Sequence, residues 1–166
     1  MAFLDLKQSD ASLLSEVLRL NAEHEAETSP LNQDGLVALI DQCRFALARA
    51  DGRACLLALA PGAAYGSANY AWFATRYQRF FYIDRVIVGA ELRGRGVGRA
   101  LYERVFAEAQ SEDVPVLCEV NRVPPNPGSD AFHAAMGFGE VGRGVFAPGK
   151  AVRYLCRNAS LTGPRG

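Results

Sequence analysis

Leu13, Leu14, Val17, Leu18 and Leu20 recur at helical spacing behind Ser9 and Asp10, two residue types that cap helix N-termini. A short apolar stretch over about residues 2–7 precedes them, so the chain opens as strand then helix. After a break at Thr28–Pro30, Leu36, Val37, Leu39 and Ile40 predict a second helix of about ten residues. The period then changes. Phe45–Ala50 and Arg53–Ala60 are strand-type runs joined by Asp51–Gly52, a strong signal for a two-residue hairpin turn. Residues 61–80 hold Tyr65, Tyr70, Trp72, Phe73 and Tyr77, too long for an ordinary connection and too aromatic for a linker, and are expected to form a functional loop.

Phe80–Val88 predicts a central strand and Gly96–Gln110 a helix whose Val97, Leu101, Val105 and Ala109 line one stripe. Val114–Val120 predicts the next strand. Strand, helix and strand within about forty residues make a βαβ unit, whose two strands run parallel with a right-handed crossover. The prolines and glycine of residues 121–130 argue against regular structure there. Ser129 or Asp130 is expected to cap a helix reaching Met136 and stopping at Gly137. Phe138–Val141 and Val152–Cys156 predict two closing strands. The whole describes one α+β domain over residues 1–157, a mixed sheet with one parallel pair, and a flexible tail over 158–166.

Composition supports a folded, water-soluble chain: 49% of the 166 residues are hydrophobic and 22% charged. Eighteen basic and eighteen acidic side chains cancel, which removes any overall field toward nucleic acid or an anionic membrane, so neither is expected as a partner. The first residues lack the basic and apolar regions of a secretion signal, and no run approaches about 20 apolar residues. A cytoplasmic location is therefore expected. Cys43, Cys55, Cys118 and Cys156 are widely spaced with no Cys-x-x-Cys pair, which predicts reduced, buried thiols rather than a metal site or disulfides.

The chemistry concentrates in Arg93-Gly94-Arg95-Gly96-Val97-Gly98-Arg99, between the central strand and the third helix. Backbone N–H groups at a helix start lack intrahelical partners and carry the positive end of the dipole, and glycine leaves them bare to an oxyanion. Arg93, Arg95 and Arg99 add the charge that suits a diphosphate. Two other glycine loops compete. Gly89 and Gly94 have P-loop spacing but are followed by Arg95-Gly96 where Lys and Ser or Thr are required. A dinucleotide fingerprint starting at Gly94 has Arg99 at its third glycine position, although Glu119 lies where a ribose-binding acid would be expected.

Arg93-x-x-Gly96-x-Gly98 resembles the pyrophosphate loop of the GNAT N-acetyltransferase superfamily, and Asn126-x-x-Ser129-x-x-x-His133-x-x-x-Gly137-Phe138 resembles its second signature. The order of elements, strand, two helices, three strands, helix, strand, helix, two strands, is similar as well. "FFYIDRVIV", "CEVN" and "PPNPGSDAFH" look like one bacterial branch of acetyltransferases. The resemblance implies the GNAT fold, with acetyl-CoA held in a cleft between the two splayed parallel strands. Its pantetheine would lie along Val86, Ile87 and Val88, and its pyrophosphate on the amides of Gly94, Arg95, Gly96, Val97, Gly98 and Arg99 beside Arg93. Asn126 and Ser129 would be further cofactor contacts.

The activity so implied is acetyl transfer to the primary amine of a small molecule by direct attack. Transfer to a protein or peptide amine, or acyl-CoA binding without turnover, stand as alternatives. Transfer to an amine needs a proton acceptor, donors for the developing oxyanion, and an acid for the leaving thiolate. Period-2 alternation sets Leu117, Glu119 and Asn121 on the face opposite Val114, Val116, Cys118 and Val120, so Glu119 faces the cleft or a partner such as Arg85 or Arg122. Asp84 is the rival base, or one half of an ion pair. His133 stands where many relatives have an acidic tyrosine, and is either that acid or an imidazole bonded beneath the loop. Acceptor contacts are expected from Asn21, His24 and Glu25 and from Tyr70, Trp72, Phe73 and Tyr77, whose rings could equally pack on the sheet or across a homodimer interface. No metal is expected.

Overall fold

The computed structural model describes residues 1–159. Asp10 accepts a hydrogen bond from the Leu13 amide and starts α1 (Ala11–Glu23), and Asn32 does the same for Gly35 at the head of α2 (Gln33–Gln42). Strand β1 is only Leu4–Asp5, because the chain winds into a 3-10 turn at Leu6, which buries that leucine. The hairpin of β2 (Phe45–Ala48) and β3 (Ala54–Leu59) forms, but its turn is longer than the two residues expected: the Arg49 amide still bonds the Ala54 carbonyl, and inside that pair the Gly52 amide bonds the Arg49 carbonyl.

Residues 61–80 differ from the loop expected there. Ser67 caps a short helix, α3 (Ala68–Ala74), and Tyr70 and Phe73, three residues apart, turn inward to 5% and 0% exposure. The irregular flanks hid a two-turn apolar stripe too brief for periodicity to stand out. Then follow β4 (Phe81–Val88), α4 (Val97–Glu112), β5 (Val116–Val123), α5 (Pro127–Ala135), β6 (Gly139–Ala147) and β7 (Lys150–Arg157). Strand β5 runs further than its apolar run suggests. Asn126, not Ser129 or Asp130, caps α5, and Pro127 takes its first turn, where a missing N–H costs nothing. Arg157 belongs to β7, and residues 160–166 of the expected tail lie outside the described residues.

Among the described residues, seven strands form one sheet in the order β1-β2-β3-β4-β5-β7-β6. Every neighbouring pair is antiparallel except β4 and β5, which are parallel as the βαβ reading requires. Helices α1, α2 and α3 cover one face, with Leu20, Leu36, Ile40 and Phe73 against Leu57, Tyr82, Leu117 and Tyr154. Helices α4 and α5 cover the other, with Leu101, Val105 and Ala109 against Phe81, Ile83, Val116 and Cys118.

Two irregularities shape what this sheet can hold. The ladder between β4 and β5 lasts only for Phe81↔Val116 and Tyr82↔Leu117, after which the strands part. Opposite β3, register jumps from Leu57↔Arg85 to Ala58↔Ile83, so Asp84 is an extra residue. This bulge reverses the alternation: Phe81 and Ile83 pack toward α4 before it, Val86 and Val88 after it.

Candidate active site

The parting of β4 from β5 opens a cleft of about 1110 Å³ that runs from the head of α4 to the residues between α1 and α2. Its floor includes Val86, Ile87 and Val88 of β4 and Cys118, Glu119 and Val120 of β5. At the α4 end lie Arg93, Gly94, Gly96, Val97, Gly98, Arg99, Asn126, Ser129 and His133. At the opposite end lie His24, Thr28, Ser29, Tyr65, Asn69 and Asp84.

The glycine loop has the form of an anion seat. Gly94 and Gly96 have φ of 74° and 77°, the left-handed region that other residues enter at a cost, and a Cβ on either would meet nothing within 4 Å. Gly96 is the residue before α4, and no side chain caps the helix, so its first amides are left to a ligand. Gly98 has a different reason: a Cβ there would press on Phe132 at 3.3 Å. Arg93 and Arg99 line the cleft, whereas Arg95 is exposed outside it. The Arg93 guanidinium lies 3.3 Å from His24 Nε2, and His24 Nδ1 donates to the Leu20 carbonyl. Asn126 and Ser129 are in place along the rim, with Asn126 spent on capping α5 through the Ser129 amide.

Glu119 stands midway along the cleft, half-buried. Tyr82 donates to both of its oxygens, at 3.0 and 2.8 Å, and Asn69 Nδ2 donates to Oε1 at 3.1 Å. No arginine pairs with it among the described residues. Loss of bulk water, helped by the nearby charge of Asp84, raises its pKa to about 8, against the pull of the Tyr82 and Asn69 donors.

Asp84 is differently placed. The bulge turns both Asp84 and Arg85 toward the α1 side, where Arg85 Nε bonds Asp84 Oδ2 at 2.7 Å and Tyr65 donates to Oδ1 at 2.6 Å. Arg85 goes on to Asn21 Oδ1, the Ser29 carbonyl and Ser29 Oγ, at 2.7, 3.3 and 2.9 Å. Asp84 and Arg85 therefore tie both walls of the cleft's far end to one point on β4: residues 24–29 through Arg85 and residues 60–67 through Tyr65. The ion-pair partner expected for Glu119 belongs to Asp84 instead.

His133 is buried at 5% exposure. Its Nδ1 lies 2.7 Å from the Ser129 carbonyl and must donate, which leaves Nε2 to accept from the Tyr102 hydroxyl at 2.8 Å. Burial lowers its pKa, so the ring is neutral near pH 7. Tyr102 also lines the cleft.

The residues expected to contact an acceptor are mostly elsewhere. Tyr70 and Phe73 are core residues, since their spacing serves the packing of α3. Trp72 stacks on Tyr154 at 4.0 Å with Arg76 at 3.9 Å on its ring, and does not line the cleft. Tyr77 packs against Phe73. Asn21 is buried on Arg85, and Glu25 is exposed outside the cleft. Tyr65, Asn69, Arg85 and Tyr102 line the cleft and Tyr82 bonds Glu119, places that the sequence pattern does not assign to them. Their roles depend on the bulge, on α3 and on cross-sheet neighbours, none of which leaves a pattern in one sequence. The four cysteines are free, and Cys43, Cys55 and Cys118 are buried.

A glycine-bared helix start, a parallel strand pair that parts beside it and a half-buried acid between the strands define an acyl-transfer class of site on a mixed sheet. The profile of the acetyltransferase (GNAT) family matches residues 17–138. The chain belongs to that family and is an N-acetyltransferase that uses acetyl-CoA. No curated protein matches it by sequence. Its fold is similar to that of the ribosomal-protein-S18-alanine N-acetyltransferase from Escherichia coli, at 15% identity over 99% of this chain and 97% of that one, with a TM-score of 0.64. NAA60 of Arabidopsis thaliana, solved with a bisubstrate analogue, has 17% identity over 95% and 97% of the two chains and a TM-score of 0.69. An aminoglycoside 6'-N-acetyltransferase complexed with coenzyme A has 13% identity over 100% and 99%, with a TM-score of 0.70.

The loop fits the cofactor that the family uses: open space over Gly94 and Gly96, uncapped α4 amides and two arginines in reach answer a diphosphate. No helix among the described residues is long and apolar enough to cross a membrane.

Proposed function

We propose that the protein acetylates the primary amine of a small molecule, with the amine attacking directly and Glu119 as the proton acceptor. The observation that carries this reading is Glu119 itself, a carboxyl in the cleft with neutral donors around it, no cationic partner among the described residues, and a pKa near 8. A base so tuned is ionised in a useful fraction at neutral to alkaline pH and can accept an ammonium proton, directly or through a water.

The cofactor supplies the activated acetyl group and a thiolate leaving group. The α4 amides, with Arg93 and Arg99, hold its diphosphate, while Val86, Ile87 and Val88, beyond the last β4–β5 pairing, offer the strand edge along which pantetheine is oriented. Asn126 and Ser129 close that end. The Tyr102–His133 pair on the same side is the candidate source of the thiolate's proton. Asp84, neutralised by Arg85, shapes the acceptor end rather than taking protons.

A small acceptor is favoured because residues 24–29 and 60–67 are both fastened to the Asp84–Arg85 point, which walls the far end on two sides. Structural neighbours include both aminoglycoside and protein N-terminal enzymes, so a peptide amine is the second reading. A panel of small polyamines, amino sugars and peptides with free N-termini, read by thiol release, tests the choice. Turnover on small amines and none on peptides is expected. Turnover confined to peptides overturns the acceptor class, and acetyl-CoA binding without turnover on any amine overturns the enzyme reading of Glu119.

A further inference from the structure

We propose that Asn69 is a positioning residue for Glu119, held in its working orientation by Tyr154. The proposal rests on Glu119 as the proton acceptor. Asn69 is the second residue of α3, and its side chain takes no part in capping that helix, which Ser67 does. Both ends of its amide are instead committed across the sheet: Nδ2 donates to Glu119 Oε1 on β5 at 3.1 Å, and Oδ1 accepts from the Tyr154 hydroxyl on β7 at 3.1 Å. The working form of Glu119 has only acceptors to offer, so the NH₂ must face it. In that orientation the Tyr154 hydroxyl donates to the oxygen, so both ends of the amide are satisfied at once.

Tyr154 is itself fixed. Its ring is 1% exposed and stacked on Trp72, and a Cβ on Gly144 of β6 would stand 2.6 Å from its hydroxyl oxygen, so glycine at 144 makes the room that the hydroxyl uses. The chain Gly144, Tyr154, Asn69, Glu119 thus runs from an edge strand to the cleft. Asn69 also holds the acid against its other neighbours. The titratable and charged groups around Glu119 are Tyr82 and Asp84 on β4, Tyr102 on α4, Cys118 beside it on β5, Tyr154 on β7 and, beyond Tyr154, Arg76 after α3. Asp84 opposes ionisation, whereas the hydrogen bonds from Tyr82 and Asn69 favour it.

The experiment is the pH profile of kcat for Asn69→Leu, which keeps the size and removes the donors, and for Tyr154→Phe, which keeps the stacked ring and removes only the hydroxyl. Both are compared with the unaltered protein and with Glu119→Gln. The expected result is an ascending limb moved to higher pH in Asn69→Leu, by about one unit for a lost hydrogen bond to a charged group, and moved the same way by less in Tyr154→Phe. KM for acetyl-CoA should be unchanged in both. Adding Asn69→Leu to Glu119→Gln should cost nothing more. If Asn69→Leu does not fold, the Tyr154→Phe limb alone decides. A limb that stays in place in every folded variant, while Glu119→Gln abolishes turnover, overturns the positioning role and leaves the base standing. Full turnover in Glu119→Gln overturns the base, and this proposal with it.

Discussion

At the scale of residues, two carboxylates 35 positions apart in the chain come to one cleft in different settings. Glu119 is held in a setting that disfavours its charge, whereas Asp84 shares its charge with Arg85 at 2.7 Å. The first has a consequence for stability. A carboxyl whose folded pKa is raised binds its proton more tightly folded than unfolded, so its contribution is full below the ordinary carboxyl range and is lost as pH rises through about 8. Glu119→Gln should therefore melt at a higher temperature than the unaltered protein at pH 8.5 and at no higher temperature at pH 4, at about 2–4 °C per kcal/mol. Equal melting points at pH 8.5 would mean that Glu119 is not strained by its surroundings. Asp84→Asn leaves Arg85 as a buried, unbalanced charge and should lower the melting temperature while raising KM for the amine more than it lowers kcat; a loss confined to kcat would make Asp84 the base. Period-2 alternation was enough to set Glu119 on the cleft face. It could not foresee Asp84 and Arg85 side by side on one face, because a bulge breaks the alternation and is written in pairing rather than in residue type.

The elements of the site differ in how openly the chain declares them. The start of α4 was readable, since glycines, arginines and the strand before them are local features that act locally. Gly96→Ala should cost about 1–2 kcal/mol of stability for a left-handed alanine. It should also weaken acetyl-CoA binding by about ten- to a hundredfold, because the methyl would enter the open space proposed for the diphosphate; calorimetry showing unchanged affinity would move the diphosphate elsewhere. Helix α3 was not readable, because seven residues give too few repeats and its aromatics suit a binding loop equally well. Phe73, fully buried, should behave as core: Phe73→Ala is expected to cost about 3–5 kcal/mol with KM for the amine unchanged. A selective rise in that KM without loss of stability would restore the aromatic acceptor loop.

Over the whole molecule, the sheet does the assembling. Eighteen positive and eighteen negative charges cancel overall, so the anion seat is a local arrangement and not the focus of a general field. The parted β4 and β5 leave a strand edge open beside the glycine loop, the bulge at Asp84 fastens both walls of the cleft's far end, and α3 with β7 braces Glu119 from the opposite side. Strand order and parallel pairing were legible from element order. The width of the cleft was not, since it depends on how few residues the parallel ladder joins. The direct test of the account is kcat against pH on a good amine, for the unaltered protein and for Glu119→Gln. The account predicts a single ascending limb near pH 8 in the first, and in the second a rate lower by about 10²–10⁴-fold with that limb gone. An identical limb and rate in both proteins would contradict it.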